Sequence, residues 1–263
     1  MESQAKEELV KSGIAGGHPE RFQIDPELGD SVLSKVTNKY EVEAYDKIFT
    51  KDASDSRYEV NQIFHKCLPK YYGSFTNPES GETFIKLENL LQGRPNANIL
   101  DLKMGTTSIT VNTPPEMYNY ANQKDAKTTS VTLGFRVTGY IIKDKEGKVI
   151  EKEIKPHGKA LAEHIPGIIS KVLSGNQQGS INQEALAFVT KRAIEMLDYF
   201  ENHHSRMITG SSVLMIIDNV TKSYEMKIID LSSSKDFEDL TKRDDGYILG
   251  LRSIIAFLQG LKE

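Results

Sequence analysis

The chain has 263 residues, of which 38% are hydrophobic and 27% charged, with a net charge of −4 and a single cysteine, Cys67. These figures exclude a disulfide scaffold and make a cysteine-based zinc site untenable. They leave no run of membrane-span length or signal-peptide core, and they argue against a general nucleic-acid or anionic-membrane surface. The expectation is one large domain, or two lobes sharing a core, in a reduced compartment (cytosol or nucleus), monomeric, without nucleic acid and without membrane insertion. The charge is uneven: residues 101–160 hold ten Lys/Arg against seven Asp/Glu, a local +3 that leaves −7 to the rest. A locally basic stretch in an acidic chain is either a solvated mixed surface or the place where one anionic ligand binds.

Residues 1–12 are polar, and 13–29, rich in glycine and proline, read as irregular. Residues 31–36 predict a strand. From Asn38 to Phe49, apolar residues at Tyr40, Ala44, Tyr45, Ile48 and Phe49 fall at helical spacing. Residues 82–87 alternate and predict a strand. Residues 90–96, with Gly93 and Pro95, read as a linker that sets an N-lobe of residues 1–89 against a C-lobe of 90–263. A strand follows over 98–102, then a polar segment from 108 to 130 in which Pro114-Pro115 opens a short helix. Strands over 131–144 and 148–154 flank a Lys145-Glu146-Gly147 turn. Helices are predicted over 160–173, 182–202 and 247–261, and buried-type strands over 212–217 and 224–229. The fold class is α+β: a small strand-rich lobe with one helix, then a mixed lobe with three.

Within this frame, Asn98-Ile99-Leu100-Asp101-Leu102-Lys103-Met104-Gly105 stands out. Side chains two apart on a strand share a face, so Asp101 and Lys103 point the same way, one a possible base and the other a possible phosphate ligand. Alone, an acid and a lysine so spaced make an ordinary surface ion pair. Glu41 lies in the apolar arc of its helix beside Ala44 and Tyr45, whereas Glu43 points away. A glutamate there is costly unless paired, and Lys35 at the end of the preceding strand is the partner. Asp230 ends an apolar strand before Ser232-Ser233-Ser234, either as a turn-initiating residue or as a metal carboxylate at a cleft. His203-His204 supplies too few ligands for a metal.

Residues 97–105 resemble the P-x-x-x-D-x-K-x-G signature of the inositol polyphosphate kinase family, with Ala97 in place of the proline. In chain order, Ala15-Gly16-Gly17-His18 is similar to an early A-G-H element and Gly210-Ser211-Ser212-Val213-Leu214 to S-S-L-L. Ile229-Asp230-Leu231 is similar to I-D-F with Leu231 for phenylalanine, and residues 244–251 are similar to D-x-x-Y-x-x-G-L. The resemblance implies a two-lobed protein-kinase-like fold and phosphoryl transfer from ATP with Mg²⁺. It casts Asp101 as the group that orients or deprotonates the attacking hydroxyl and Lys103 as the bridge between substrate and transferred phosphate. Lys35, held by Glu41, takes the ATP phosphates, with Asp230 as metal ligand and Ser211 beside the phosphates. Main-chain groups of Glu88 and Leu90 meet adenine, with Asn89 near ribose. Lys103, Lys124 and Lys127 meet the inositol phosphate, as do Lys155 and Lys159 of a segment similar to K-Y-Y-G-R. The 101–105 stretch looks most like the hexakisphosphate kinases, which make pyrophosphates. A trisphosphate 3-kinase or multikinase is the alternative, and a catalytically silent inositol-phosphate or nucleotide sensor is the rival from another class.

Overall fold

Strand-forming alternation and two kinds of turn build most of this chain. The computed structural model describes residues 15, 18–110, 112–154, 161–174, 180–203, 206–237, 239 and 241–261. Strands β1 (Phe22–Asp25), β2 (Gly29–Thr37), β3 (Tyr71–Thr76) and β4 (Thr83–Glu88) form an antiparallel sheet in the order β1-β2-β4-β3. β1 lies in the stretch expected to be irregular. Its turn is made by Asp25, whose Oδ1 accepts from the Glu27 and Leu28 amides at 3.0 and 2.9 Å, and by Gly29 at φ +69°. Helix α1 (Lys39–Ile48) starts where expected, with the Asn38 side chain accepting from the Glu41 amide at 3.1 Å. A second helix, α2 (Tyr58–His65), was not foreseen. It packs back on α1, where Asn61 Nδ2 donates to Lys47 O at 3.1 Å.

Residues 89–97 connect β4 to the second sheet. That sheet contains β5 (Asn98–Met104), β6 (Phe135–Lys143), β7 (Val149–Ile154), β9 (Ser212–Asp218) and β10 (Ser223–Ile229). Its order is β10-β9-β5-β6-β7, antiparallel throughout. Between β5 and β6 run α3 (Tyr118–Asp125), entered through Pro115–Met117, and α4 (Ser130–Leu133). The strand expected from residue 131 begins only at Phe135, because α4 ends at Gly134 with φ +70°. Helices α5 (Ile165–Ser174), α6 (Gln183–Asp198) and α7 (Asp245–Gly260) complete the fold, together with a ribbon of β8 (Arg206–Ile208) and β11 (Ser234–Asp236) that the pattern did not reveal. Among the described residues no helix is long and apolar enough to cross a membrane.

Strand β5 decides what the fold does. Leu100, Leu102 and Met104 point into the main core, with Met215 and Val213 of β9 opposite the two leucines and Phe135 of β6 opposite Met104, all buried. The other face carries Ile99, Asp101 and Lys103, which pair with Ile216, Leu214 and Ser212 of β9. The period of two therefore does place Asp101 and Lys103 together, on the face turned away from the core.

Helix α7 holds the end of β5. Asp244 caps it through the Tyr247 amide at 3.0 Å and also accepts from the Ile208 amide at 3.0 Å. Tyr247 stacks on Phe200 with centroids 4.1 Å apart. Gly250 lets the helix backbone touch the α4–β6 turn: a Cβ there would lie 2.5 Å from Gly134 O and 2.7 Å from Met104 Cε. Gly250→Ala should therefore lose about 1–3 kcal/mol through overpacking, more than the roughly 1 kcal/mol that helix propensity returns. Urea unfolding measures this, and an unchanged or raised midpoint would show that the contact does not hold α7 in place.

Candidate functional site

A cleft of about 310 Å³ opens between the two sheets. Its walls follow from the registers above. β2 and β4 contribute Leu33 and Leu87, the connector contributes Leu90, and the second sheet contributes Leu214, Ile216 and Ile229. This apolar end suits a flat ring held between aliphatic side chains. The Leu90 amide has no hydrogen-bond partner among the described residues, which leaves a donor available on a residue that lines the slot. Glu88 lines the cleft too, but its amide donates to Lys70 O at 2.9 Å. Asn89 does not reach out as expected. Its Nδ2 donates to Asp30 O at 2.8 Å and its Oδ1 accepts from the Leu91 amide, so it builds the turn.

The polar end is a three-residue ion cluster. Lys35 Nζ lies 2.9 and 3.1 Å from the two Glu41 oxygens and 2.5 Å from Asp230 Oδ1. Glu41 is 2% exposed and also accepts from the Thr37 hydroxyl and the Leu231 amide. The pairing inferred from the helix arc is thus present, with a third member. Burial alone would lower the Lys35 pKa, but Asp230 and Glu41 outweigh it and raise it. For Asp230 burial pushes upward, while Lys35, then Lys103 and Arg21, hold the carboxyl below its usual value. Asp230 itself has φ +64°, a left-handed conformation that costs an L-residue roughly 1–2 kcal/mol. It turns the carboxylate off the end of β10 toward Lys35, and 40% of the side chain stays open.

Beside this cluster lie Asp101 and Lys103. Asp101 is 5% exposed. Burial raises its pKa against hydrogen bonds from Thr138 and Ser212 that favour the ionised form. Burial, and then Arg136 opposite it on β6, lower that of Lys103. Arg136 was not anticipated as a site residue. Its Nη1 donates to Ser130 Oγ at 2.8 Å and sits 3.6 Å from the buried Asp125 carboxylate. It stands opposite Lys103 only because β6 pairs with β5, a relation that the hairpin at residue 147, which joins β6 to β7, does not reveal. Lys124, exposed on α3, is close enough to Lys103 to depress it further.

Other expected site residues stand elsewhere. Ser211 is fully buried and its hydroxyl faces Ile208 O and the Tyr247 hydroxyl at 3.4 and 3.5 Å, so Gly210 and Leu214 of that segment line the cleft and Ser211 does not. Lys127 lies beyond the end of α3, exposed, one turn on from Lys124, whose carbonyl accepts from its amide at 3.2 Å. Lys155 and Lys159 fall outside the described residues, as does His204. His18, of the A-G-H-like element, lines the cleft, as does Arg21, which no sequence pattern marked.

Among the described residues no group of three or more His, Cys, Asp or Glu is placed to hold a metal. Asp230 still fits one kind of ion. Its Oδ1 meets Lys35 and its second oxygen has no protein partner. Mg²⁺ takes one or two carboxylates and completes its shell with water and ligand phosphates. The whole arrangement suits a flat ring at one end, a polyphosphate with a cation at the other, and an anionic acceptor beside Asp101.

Comparisons with known proteins agree with this geometry. The family model described as inositol polyphosphate kinase matches residues 84–259. Inositol polyphosphate multikinase alpha of Arabidopsis thaliana is 25% identical over 229 residues, which is 79% of this chain and 79% of that protein. Inositol hexakisphosphate kinase 3 of Mus musculus is 26% identical over 204 residues, covering 68% of this chain and 51% of its own. The crystal structure of an inositol phosphate multikinase from S. cerevisiae, in complex with ADP and Mn²⁺, shares the fold with a TM-score of 0.71 at 19% identity, covering 89% of this chain and 100% of that one.

Lys35 and Glu41 should behave as one unit. Lys35→Met leaves the buried Glu41 carboxylate without its cation, a loss of about 3–5 kcal/mol. Adding Glu41→Gln should recover part of that loss, giving a coupling of at least about 1 kcal/mol in a double-mutant cycle on unfolding free energy. Simple additivity would mean the pair is not coupled.

Proposed function

The chain belongs to the inositol polyphosphate kinase family, a family of phosphotransferases, and on that premise we propose that it moves the terminal phosphoryl group of ATP to more than one inositol polyphosphate, inositol hexakisphosphate among them. The observation that carries this reading is the Lys35–Glu41–Asp230 cluster set directly beside Asp101 and Lys103 in one cleft. In support of hexakisphosphate stand the residues 101–105, which look most like those of kinases that make diphosphoinositol polyphosphates. In support of breadth stands the multikinase relative, matched over most of both chains. A silent sensor would have no use for a buried carboxylate at Asp101 set beside a second, partly open one at Asp230 that suits a metal.

Adenine enters the aliphatic slot and accepts a hydrogen bond from the Leu90 amide. Lys35 binds the phosphates, oriented by Glu41. A divalent cation on Asp230 and the nucleotide phosphates would neutralise charge on the transferred group. Asp101 orients the attacking oxygen as the new O–P bond forms and the bond to the ADP oxygen breaks: it takes the proton where the acceptor offers a hydroxyl, and only positions a phosphate oxygen, already ionised, where the acceptor is the hexakisphosphate. Lys103 bridges the acceptor and the phosphoryl group in flight. Arg136 and Lys124 bind the acceptor's other phosphates.

The direct test is incubation with Mg-ATP and each of the inositol tris- to hexakisphosphates, with the products resolved by electrophoresis. New phosphorylated or pyrophosphorylated products from at least two acceptors are expected, no product from any would overturn the reading, and product from one alone would overturn its breadth. Asp230→Asn, nearly isosteric, should abolish metal-dependent turnover while the protein stays folded. Lys124→Ala should raise the acceptor KM by about tenfold or more, as one charge-assisted contact is worth roughly 1.5–3 kcal/mol, and leave the ATP KM unchanged. Lys127→Ala should do less. Equal effects of the two, or an effect on ATP alone, would remove α3 from the acceptor site.

A further inference from the structure

Strand β6 carries an irregularity at the height of Asp101. Asp101 pairs with Gly139 and Leu102 with Val137, so Thr138 is an extra residue with no partner on β5. A bulge of this kind lets two neighbouring residues face the same side of the sheet and re-aims their side chains. Both residues use that freedom. Gly139 admits the backbone of the N-terminal segment, since a Cβ there would fall 1.7 Å from Ala15 O. Thr138 turns its hydroxyl onto Asp101, with Oγ1 2.5 Å from Asp101 Oδ1 and 3.0 Å from the Asp101 carbonyl oxygen.

We propose that Thr138 is a positioning residue for phosphoryl transfer, holding the Asp101 carboxylate in the rotamer that meets the acceptor hydroxyl. The proposal rests on the kinase reading and adds a residue that none of the motifs includes. Asp101 has two side-chain donors, Thr138 from β6 and Ser212 from β9, so the carboxylate is held from both neighbouring strands. The surrounding charges pull it in different directions. Lys103 attracts it along its own strand, Asp230 at the end of β10 repels it, and Lys35 of β2 and Arg136 of β6 lie one step further out. Without the Thr138 hydroxyl, Asp101 is drawn toward the Lys103 ammonium, and the base is lost to an internal ion pair. The threonine methyl adds to the hold, because branching at Cβ restricts χ1. Thr138 touches neither nucleotide nor acceptor in this scheme, so it works only through Asp101.

The test compares Thr138→Val, which keeps the shape and removes the donor, with Thr138→Ser, which keeps the donor and removes the methyl. With Mg-ATP and an inositol polyphosphate, Thr138→Val is expected to lower kcat by about tenfold or more, as misplacement of a catalytic group does. The ATP and acceptor KM values should stay within about twofold, and Thr138→Ser should recover most of kcat. Crystal structures of the three proteins provide a reading that does not depend on activity: the Asp101 carboxylate should rotate in the valine variant and keep its place in the serine variant. An unmoved Asp101, or a serine variant as slow as the valine variant, would overturn the proposal. If the wild-type protein phosphorylates no inositol polyphosphate, the kinase reading fails, while the crystallographic comparison still decides whether Thr138 sets Asp101. If the wild type is active and Thr138→Val matches it, only the role of Thr138 fails.

Discussion

One buried ammonium ties the two sheets together. Lys35 comes from the first sheet, Glu41 from the helix that follows it, and Asp230 from the end of the second sheet's outer strand. Its two carboxylates approach from opposite walls of the cleft. Taking three charges out of water is expensive, and the attraction among them does not make the cluster a source of net stability. What it supplies is geometry. Asp230 sits in a left-handed conformation that nothing local favours, and Lys35 fixes where its carboxylate lies. Removing Lys35 leaves the buried Glu41 without its cation and Asp230 without its partner, so this one ammonium specifies the spacing of the walls as well as the chemistry between them.

The second constraint is the two-faced character of β5. One face is all Leu and Met and belongs to the main core. The other carries Asp101 and Lys103 with a smaller apolar cluster of Ala15, Leu90, Ala97, Ile99, Ile141 and Ile216 behind them. A one-residue slip would send both charged side chains into the core, so burial of Leu100, Leu102 and Met104 sets the register that the site needs. The glycine contact between Gly250 and Gly134 serves the same end from outside, since Gly105 follows β5 directly and its amide donates to Gly134 O at 2.7 Å. Two of the motifs that carry the family resemblance do structural work of this sort. Asp244 caps a helix, Tyr247 fills the core, and Ser211 bonds inward.

Where one residue could be judged against its near neighbours, the sequence was legible. The helical arc around Glu41, its need for Lys35, the alternation across Asp101 and Lys103, and the central strands all follow from local periodicity, and the structure contains them. Elements β1, α2, β8 and β11 are short, and turn residues or polar residues flank them, so no window long enough to show a period exists. The residues missed at the site were missed for a different reason. Arg136 and Thr138 matter because β6 lies beside β5 in a particular register with one bulge. That relation joins residues more than thirty positions apart, and no local pattern encodes it. Conversely, Ser211 looked suitable by position, but a turn toward the core points it elsewhere, and Lys127 lies past the end of its helix.

The charge pattern shows how one cleft handles two anionic ligands. Net charge is negative, and even residues 101–160 are only slightly basic. Two cations of the site are set against carboxylates inside the protein: Lys35, which lines the cleft, against Glu41 and Asp230, and Arg136, opposite Lys103 on β6, against Asp125. Such pairing keeps the empty cleft from holding bare positive charge in a partly dry space, where it would repel itself. It also divides the cleft. On the nucleotide side, Lys35 carries more negative charge around it than it neutralises, which favours a further cation there. On the proposed acceptor side, burial lowers the pKa of Lys103, with Arg136 and then Lys124 adding repulsion, and a bound polyanion would relieve that repulsion. In the proposed reaction the two ends would thus take different ligands, with Asp101 between them, where the phosphoryl group would cross.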